Sequence, residues 1–202
     1  MPTYRIAAVA VTAVVALTAC GDDGTDAGHG QHGSAPSATA TADRQPAHND
    51  ADVAFAQGMI PHHRQAVEMA DLAATRASSR EVKDLAAAIK RAQDPEIRTM
   101  TGWLTLWGEP VPSPGADHGG HGGHGGMPGM MSPEQMQRLR DAEGKAFDTA
   151  FLELMIEHHR GAVTMAETER AKGAFPAARQ LAATIITTQN AEITRMTALL
   201  DG

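Results

Sequence analysis

Cysteine occurs once in the 202 residues, at Cys20. A single thiol excludes both a disulfide framework and a thiolate zinc site. Aromatic residues make up only 3%, so a core must be assembled from Ala, Leu, Ile, Val and Met. Basic side chains are outnumbered 24 to 17, and a formal net charge of −7 argues against the basic face that nucleic acid requires. No nucleophile–base arrangement, phosphate loop or dinucleotide fingerprint stands out, which favours a binding protein over an enzyme. What the chain does have is ten histidines and 11 methionines. Two borderline-to-soft metal-ligand types are thus enriched where thiols are almost absent.

The longest apolar run, Ile6–Ala19 behind Arg5, is short for a bilayer span but suits the hydrophobic stretch of a signal peptide. Leu17-Thr18-Ala19-Cys20 has the form of a bacterial lipobox, which also explains where the lone cysteine sits. Residues 1–19 therefore read as a lipoprotein signal peptide and Cys20 as the lipidated N-terminus after cleavage. An ordinary secretory signal with an incidental cysteine is the plainer alternative. The expected location is the extracytoplasmic face of the bacterial cell membrane, with the membrane reached through the lipid. Residues 20–49 are rich in Gly, Ala, Ser, Thr and Asp and show no apolar period, so they read as a disordered tether. His29, His32 and His48 fall in it as solvated sequence able to touch metal only weakly.

The remainder, 50–202, contains a duplication. Asp52–Leu104 aligns with Asp148–Leu200 at a constant offset of 96, with 22 of 53 positions identical. Met59-Ile60-Pro61-His62-His63-Arg64 matches Met155-Ile156-Glu157-His158-His159-Arg160, and Gln93, Glu96, Ile97 and Met100 match Gln189, Glu192, Ile193 and Met196. Each copy has the period of two helices. Asn49 or Asp50 is placed to cap the first, and Ser78-x-x-Glu81 has capping-box form for the second. Ser132-Pro133-Glu134-Gln135 opens a third helix that the pattern carries to Lys172-Gly173, and Pro176 opens a fourth. Pro61 and Pro95 are expected to kink the first-copy helices. The expectation is an all-α antiparallel four-helix bundle made of two duplicated hairpins, one domain with helices of roughly 25 to 35 residues. Repeat 1 covers 50–107 and repeat 2 covers 132–202. Between them, 108–131 is a Gly/His/Met-rich connector.

At 100° per residue, His62, His63 and Met69 lie within about 80° of Met59, on one broad face with Ala66 and Ala70. On the partner helix Gln93, Glu96 and Met100 share a side with Leu85 and Ile89. The second copy repeats the set with Met155, His158, His159, Met165, Gln189, Glu192 and Met196. One account is a hydrogen-bonded core network, with methionine filling gaps. The other is metal. Imidazole plus thioether suits Cu(I) better than Mg, Ca or Zn, and neither ligand must lose a proton at neutral pH. On that account Met59, Met69 and Met100 serve one site with His62 or His63. Met155, Met165 and Met196 serve another with His158 or His159. Gln93, Glu96, Gln189 and Glu192 orient the imidazoles. His118, His121, His124, Met127, Met130 and Met131 of the connector would supply labile contacts that pass ions inward, or be a plain linker.

The duplicated Met-Ile-x-His-His-Arg with its downstream Gln-x-x-Glu-Ile resembles the domain of unknown function 305 family of secreted bacterial proteins. The resemblance implies a ferritin-like helical bundle, and some members are similar to periplasmic copper-binding proteins. By analogy it implies Cu(I) storage, buffering or transfer in copper tolerance, with a copper-transfer partner. A metal-free envelope interaction or stress protein with a structural histidine network is the alternative. A dimetal carboxylate oxidase fits less well, because no Glu stands three residues before any of the paired histidines.

Overall fold

The computed structural model describes residues 47–113 and 127–202, all of whose regular structure is helical apart from one isolated bridge between Ala77 and Gly144. The expected signal peptide, Cys20, His29 and His32 of the expected tether, and His118, His121 and His124 of the connector lie outside the described residues. The helices are α1 (Asp50–Arg76), α2 (Arg80–Trp107), α3 (Pro133–Asp141), α4 (Gly144–Lys172) and α5 (Pro176–Leu200). No described helix is long and apolar enough to cross a membrane.

Local chemistry sets the boundaries. Asn49 caps α1 by accepting from the Ala51 and Asp52 amides, and Asp52 returns the bond by accepting from the Asn49 amide at 2.7 Å. The α2 cap is Ser79 and not the expected Ser78. Its hydroxyl accepts from the Val82 amide at 3.3 Å and donates to Glu81 at 2.9 Å, while Ser78 is drawn away to Asp148. Ser132 and Gln135 form the expected capping box of α3. Both prolines are accommodated, since α1 runs on through Pro61 and α2 through Pro95.

The third helix is not one helix. Ala142 and Glu143 are extended and Gly144 has φ +62°, a left-handed conformation that glycine adopts without the Cβ penalty. The break receives the end of α1, where Ala77 bridges to Gly144 and Arg76 reaches the Ala142 carbonyl and Glu143, each at 3.5 Å. The expected four helices are therefore five, with the short α3 laying Met136 and Leu139 into the core.

α1 packs on α2, α4 packs on α5, and the hairpins meet through α1 against α4. Two buried carboxylates fix that contact as antiparallel. Asp52, at the start of α1, accepts from the Ala174 and Phe175 amides just before α5 at 3.1 and 2.9 Å. Asp148, at the start of α4, accepts from the Ser78 and Ser79 amides just before α2 at 3.1 and 2.9 Å. The two braces are equivalent positions of the duplication, so the repeats face each other across an approximate two-fold axis. One brace carries an addition. Glu169, 1% exposed, abuts Asp52 over Gly173, where a methyl carbon would lie 2.1 Å from Glu169 Oε1. Burial, then the hydrogen bond to Asp52 and its charge, pushes the Glu169 carboxyl up to about 8. Burial also works to raise Asp52, but the Glu169 carboxyl and the Asn49, Phe175 and Ala174 amides outweigh it and hold Asp52 low. Neither Glu169 oxygen has another hydrogen-bond partner, and two carboxyls this close favour one proton between them, held on Glu169, whose affinity is raised. At the other brace the equivalent of Glu169 is Ala73.

The apolar core falls into two groups. Phe55, Ala56, Met59 and Ile60 of α1 join one, and Ala66, Met69, Ala70 and Ala73 of α1 join the other. Between these two stretches of α1 lie His62 and His63.

Candidate metal centre

The four motif histidines are fully buried, at 0% exposure for His62, His63 and His159 and 1% for His158. They form a polar layer between the two apolar groups. Because α1 and α4 are antiparallel, the leading histidine of each pair meets its counterpart: the His62 and His158 rings are 3.8 Å apart between centroids. His159 stands 6.5 Å from His158. The trailing histidine of each pair turns to its own hairpin. His63 Nε2–H donates to Glu96 Oε2 at 2.7 Å and His159 Nε2–H donates to Glu192 Oε2 at 2.7 Å. The expected orienting role of Glu96 and Glu192 thus has its contact in both copies.

These bonds fix where protons sit. A carboxylate or carbonyl only accepts, so His63 and His159 carry a proton on Nε2 and turn Nδ1 away from Glu96 and Glu192. His62 donates Nε2–H to the Pro128 carbonyl at 3.1 Å and presents Nδ1. His62 Nδ1, His63 Nδ1, His158 Nε2 and His159 Nδ1 are all buried without a hydrogen-bond partner, as are both ends of the Gln93 amide and Gln189 Oε1. Such groups are normally satisfied, and each costs roughly 1–3 kcal/mol when it is not. Burial, then the neighbouring His63 and His159, drives His62 down to about 3. Burial and the other three histidines drive His158 well below its ordinary range. Both rings are neutral at physiological pH, with lone pairs free.

The methionines are placed differently from the expected sets. Met59 and Met100 share their apolar group with half-buried Met165, whereas Met69 shares its group with Met155 and Met196. Each group thus mixes the repeats, because antiparallel packing sets the later part of α4 beside the earlier part of α1. Met131, expected as a labile contact, is 4% exposed and belongs to the core with Met136, while Met127 and Met130 are half-buried.

The segment Met127–Met131 is a strap over this layer. Besides Pro128, it is held by Gln65, whose amide donates to the Met131 carbonyl at 3.0 Å while its oxygen accepts from the Met131 amide at 2.7 Å. At the other end of the connector, Arg64 donates to the Pro112 carbonyl at 2.6 Å and Gln57 to the Pro110 carbonyl at 3.0 Å. Gly161 lets the strap lie against α4: a methyl carbon there would fall 2.0 Å from the Pro128 carbonyl oxygen. A methyl carbon on Gly129, at φ +76°, would fall 2.8 Å from both the Glu157 and the His158 carbonyl oxygens. Sequence reading missed Gly161, Gln65 and Pro128. The available signal was that Gly161 faces Gln65 across the duplication, so two differing positions serve one strap. Gly161→Ala is therefore expected to lift the strap and leave the helices intact. Amide exchange at Met131 should rise by at least roughly tenfold, and unchanged exchange there would remove the strap from this account.

Among the described residues no three His, Cys, Asp or Glu side chains are gathered as a preformed cation site. Hard cations, which take several oxygen ligands, are poorly served here. Neutral imidazoles with bare nitrogens, between methionine-bearing apolar groups, instead suit a soft monovalent ion, provided thioethers complete the set.

The chain is similar to known proteins over most of its described length. The family model described as "Domain of unknown function (DUF305)" matches residues 52–200. Among solved structures, a candidate secreted DUF305 protein from Streptomyces coelicolor is 37% identical, covering 75% of this chain and 92% of its own, with a TM-score of 0.67. A DUF305 fragment from Deinococcus radiodurans is 33% identical over 77% of this chain and 99% of its own, with a TM-score of 0.67. CopM in its Cu(I)-bound form is 32% identical over 74% of this chain and 95% of its own, with a TM-score of 0.62. CopM is also solved with Cu(II) and with Ag bound. No curated protein matches the sequence.

Proposed function

The chain belongs to the DUF305 family, and on that premise we propose that it is an extracytoplasmic copper-binding protein. In this reading Cys20 carries the lipid that holds it at the membrane. The histidine layer takes up Cu(I), and the protein stores it, buffers it or hands it to a transfer partner. The observation that carries the reading is the meeting of two buried neutral imidazoles, His62 and His158, one from each repeat, at 3.8 Å between ring centroids, each with a ring nitrogen that has no hydrogen-bond partner. The metal-bound forms of CopM and the candidate secreted relative support it from outside the chain. His62, His63, His158 and His159 would bind together with thioethers from Met59, Met69, Met100, Met155, Met165 and Met196. Glu96 and Glu192 hold two of the rings from behind, the arrangement in which a carboxylate sharpens an imidazole ligand.

The test is an anaerobic Cu(I) titration of the mature chain against a chromophoric chelator. Two comparisons are needed, a chain lacking residues 114–126 and a His62→Ala/His158→Ala variant whose helix content is checked by circular dichroism. Binding should survive the deletion and weaken by at least about 100-fold in the folded double variant, the equivalent of ~2.7 kcal/mol. Binding that follows residues 114–126 alone would reduce the bundle to a scaffold. A metal-free reading draws on the two 2.7 Å His–Glu pairs, and it is what remains if no form of the protein competes for Cu(I).

A further inference from the structure

The two repeats do not cover the histidine layer in the same way. Gly58 lies inside α1, where glycine is unfavourable for a helix, and its counterpart in the second copy is Leu154. The space it leaves is filled from two other parts of the chain. A methyl carbon on Gly58 would lie 2.9 Å from Met165 Cε and 3.5 Å from Met127 Sδ. Two thioether side chains, one from α4 and one from the strap, therefore meet over the bare backbone of α1. Both are half-buried, whereas Met59, Met69, Met100, Met155 and Met196 are fully buried. The residue after Met127 is Pro128, whose carbonyl holds His62, and His62 touches His158. On the opposite side of the approximate two-fold axis, Met69 takes the place of Met165 and is closed off at 0% exposure, in a core group that Leu154 packs against.

We infer that Met127 and Met165 form a two-thioether docking site over Gly58 for a soft monovalent metal ion, and that the histidine layer is loaded from this side alone. Two neutral thioethers suit a d¹⁰ ion such as Cu(I) or Ag(I), which accepts few ligands and prefers sulfur. The site holds the ion weakly, because it supplies no charge. It passes the ion along the strap to the paired imidazoles. This inference rests on the soft-metal reading, and its test is built to fail separately from that reading.

The mature protein would be labelled with ¹³C-methyl methionine and titrated with silver nitrate, since Ag(I) is redox-inert. The Met127 and Met165 methyl signals should move together, before or with those of the buried methionines. Met127→Leu and Met165→Leu should each abolish the shift of the remaining partner. Each should also slow Ag(I) transfer from a chelator into the histidine layer by at least about tenfold, and Met127→Leu, which removes no thioether of the layer, should leave the final stoichiometry there unchanged. Met136→Leu, at a buried core methionine outside the proposed ligand set, should leave the rate as in the unaltered protein. Loading at the normal rate in both variants, or methyl signals of Met127 and Met165 that stay still, overturns the docking site even when the layer binds silver. Paired shifts that persist in His62→Ala/His158→Ala support the docking site even when the layer no longer binds.

Discussion

The stability of the metal-free protein is expected to peak near pH 6.5 and fall on both sides, and Glu169→Gln should remove the alkaline side alone. His62 binds its proton at about 3 when folded, against 6.5 as an ordinary histidine. Between those values the unfolded chain holds more protons than the native one, so its stability is complete above 6.5 and drains as the pH falls. The slope is about 1.4 kcal/mol per pH unit, and buried His158 acts in the same direction. Glu169 works the other way. Its carboxyl is raised from 4.5 to about 8, so the native state holds the extra proton and stability drains as the pH rises across that window. Below 6.5 the single carboxyl offsets part of what the histidines lose; above 6.5 it acts alone. In Glu169→Gln the amide can donate to Asp52 at every pH. The acid limb should then steepen toward two protons per molecule while the alkaline limb flattens. Urea unfolding from about pH 5 to pH 8.5 measures both limbs. An alkaline limb that survives in Glu169→Gln would mean the proton is not shared between Glu169 and Asp52.

Much of this fold was legible because the chain contains two readings of one plan. The constant offset exposed both hairpins, the buried histidines and their orienting Glu96 and Glu192, and local rules placed the caps at Asn49 and Ser132. What failed were the questions that one copy cannot answer about the other. Which methionines share a core group depends on how the hairpins pack, and antiparallel packing of α1 on α4 puts Met165 with Met59 and Met100. The break at Ala142–Gly144 was hidden because helical pattern continues on both sides of it, although Gly144 was a visible signal. Ser78 lost the cap to Ser79 because a distant carboxylate claims Ser78. The most informative unread positions were those where the copies differ, Gly58 against Leu154 and Gly161 against Gln65. Each mid-helix glycine makes room for a piece of chain that local propensity cannot see.

Removing the braces should be the most damaging single change outside the histidine layer, and the two braces should differ. Asp148→Ala takes the acceptor from the Ser78 and Ser79 amides and from the Ser78 hydroxyl, in a site where Asp148 is 8% exposed. Stranding donors that had paired with a buried charge costs about 3–5 kcal/mol. That cost should be the same at pH 6 and pH 8, because Ala73 stands where this brace would need a second acid. Asp52→Ala strands the Asn49, Ala174 and Phe175 amides in the same way. It also relieves Glu169 of the neighbour that helps keep it protonated, and that relief grows with pH. Asp52→Ala should therefore cost about as much as Asp148→Ala at pH 6 and clearly less at pH 8. Equal costs at both pH values would show that Glu169 has no stake in this brace. The consequence reaches the centre of the bundle. The braces sit at opposite ends of the α1–α4 contact and set its register, and the 3.8 Å approach of His62 to His158 exists only in that register. A slip of one helical turn, about 5.4 Å, would separate the rings. Weakened Cu(I) binding in a folded Asp148→Ala protein, with every histidine and methionine still present, would then report the geometry itself as part of the site.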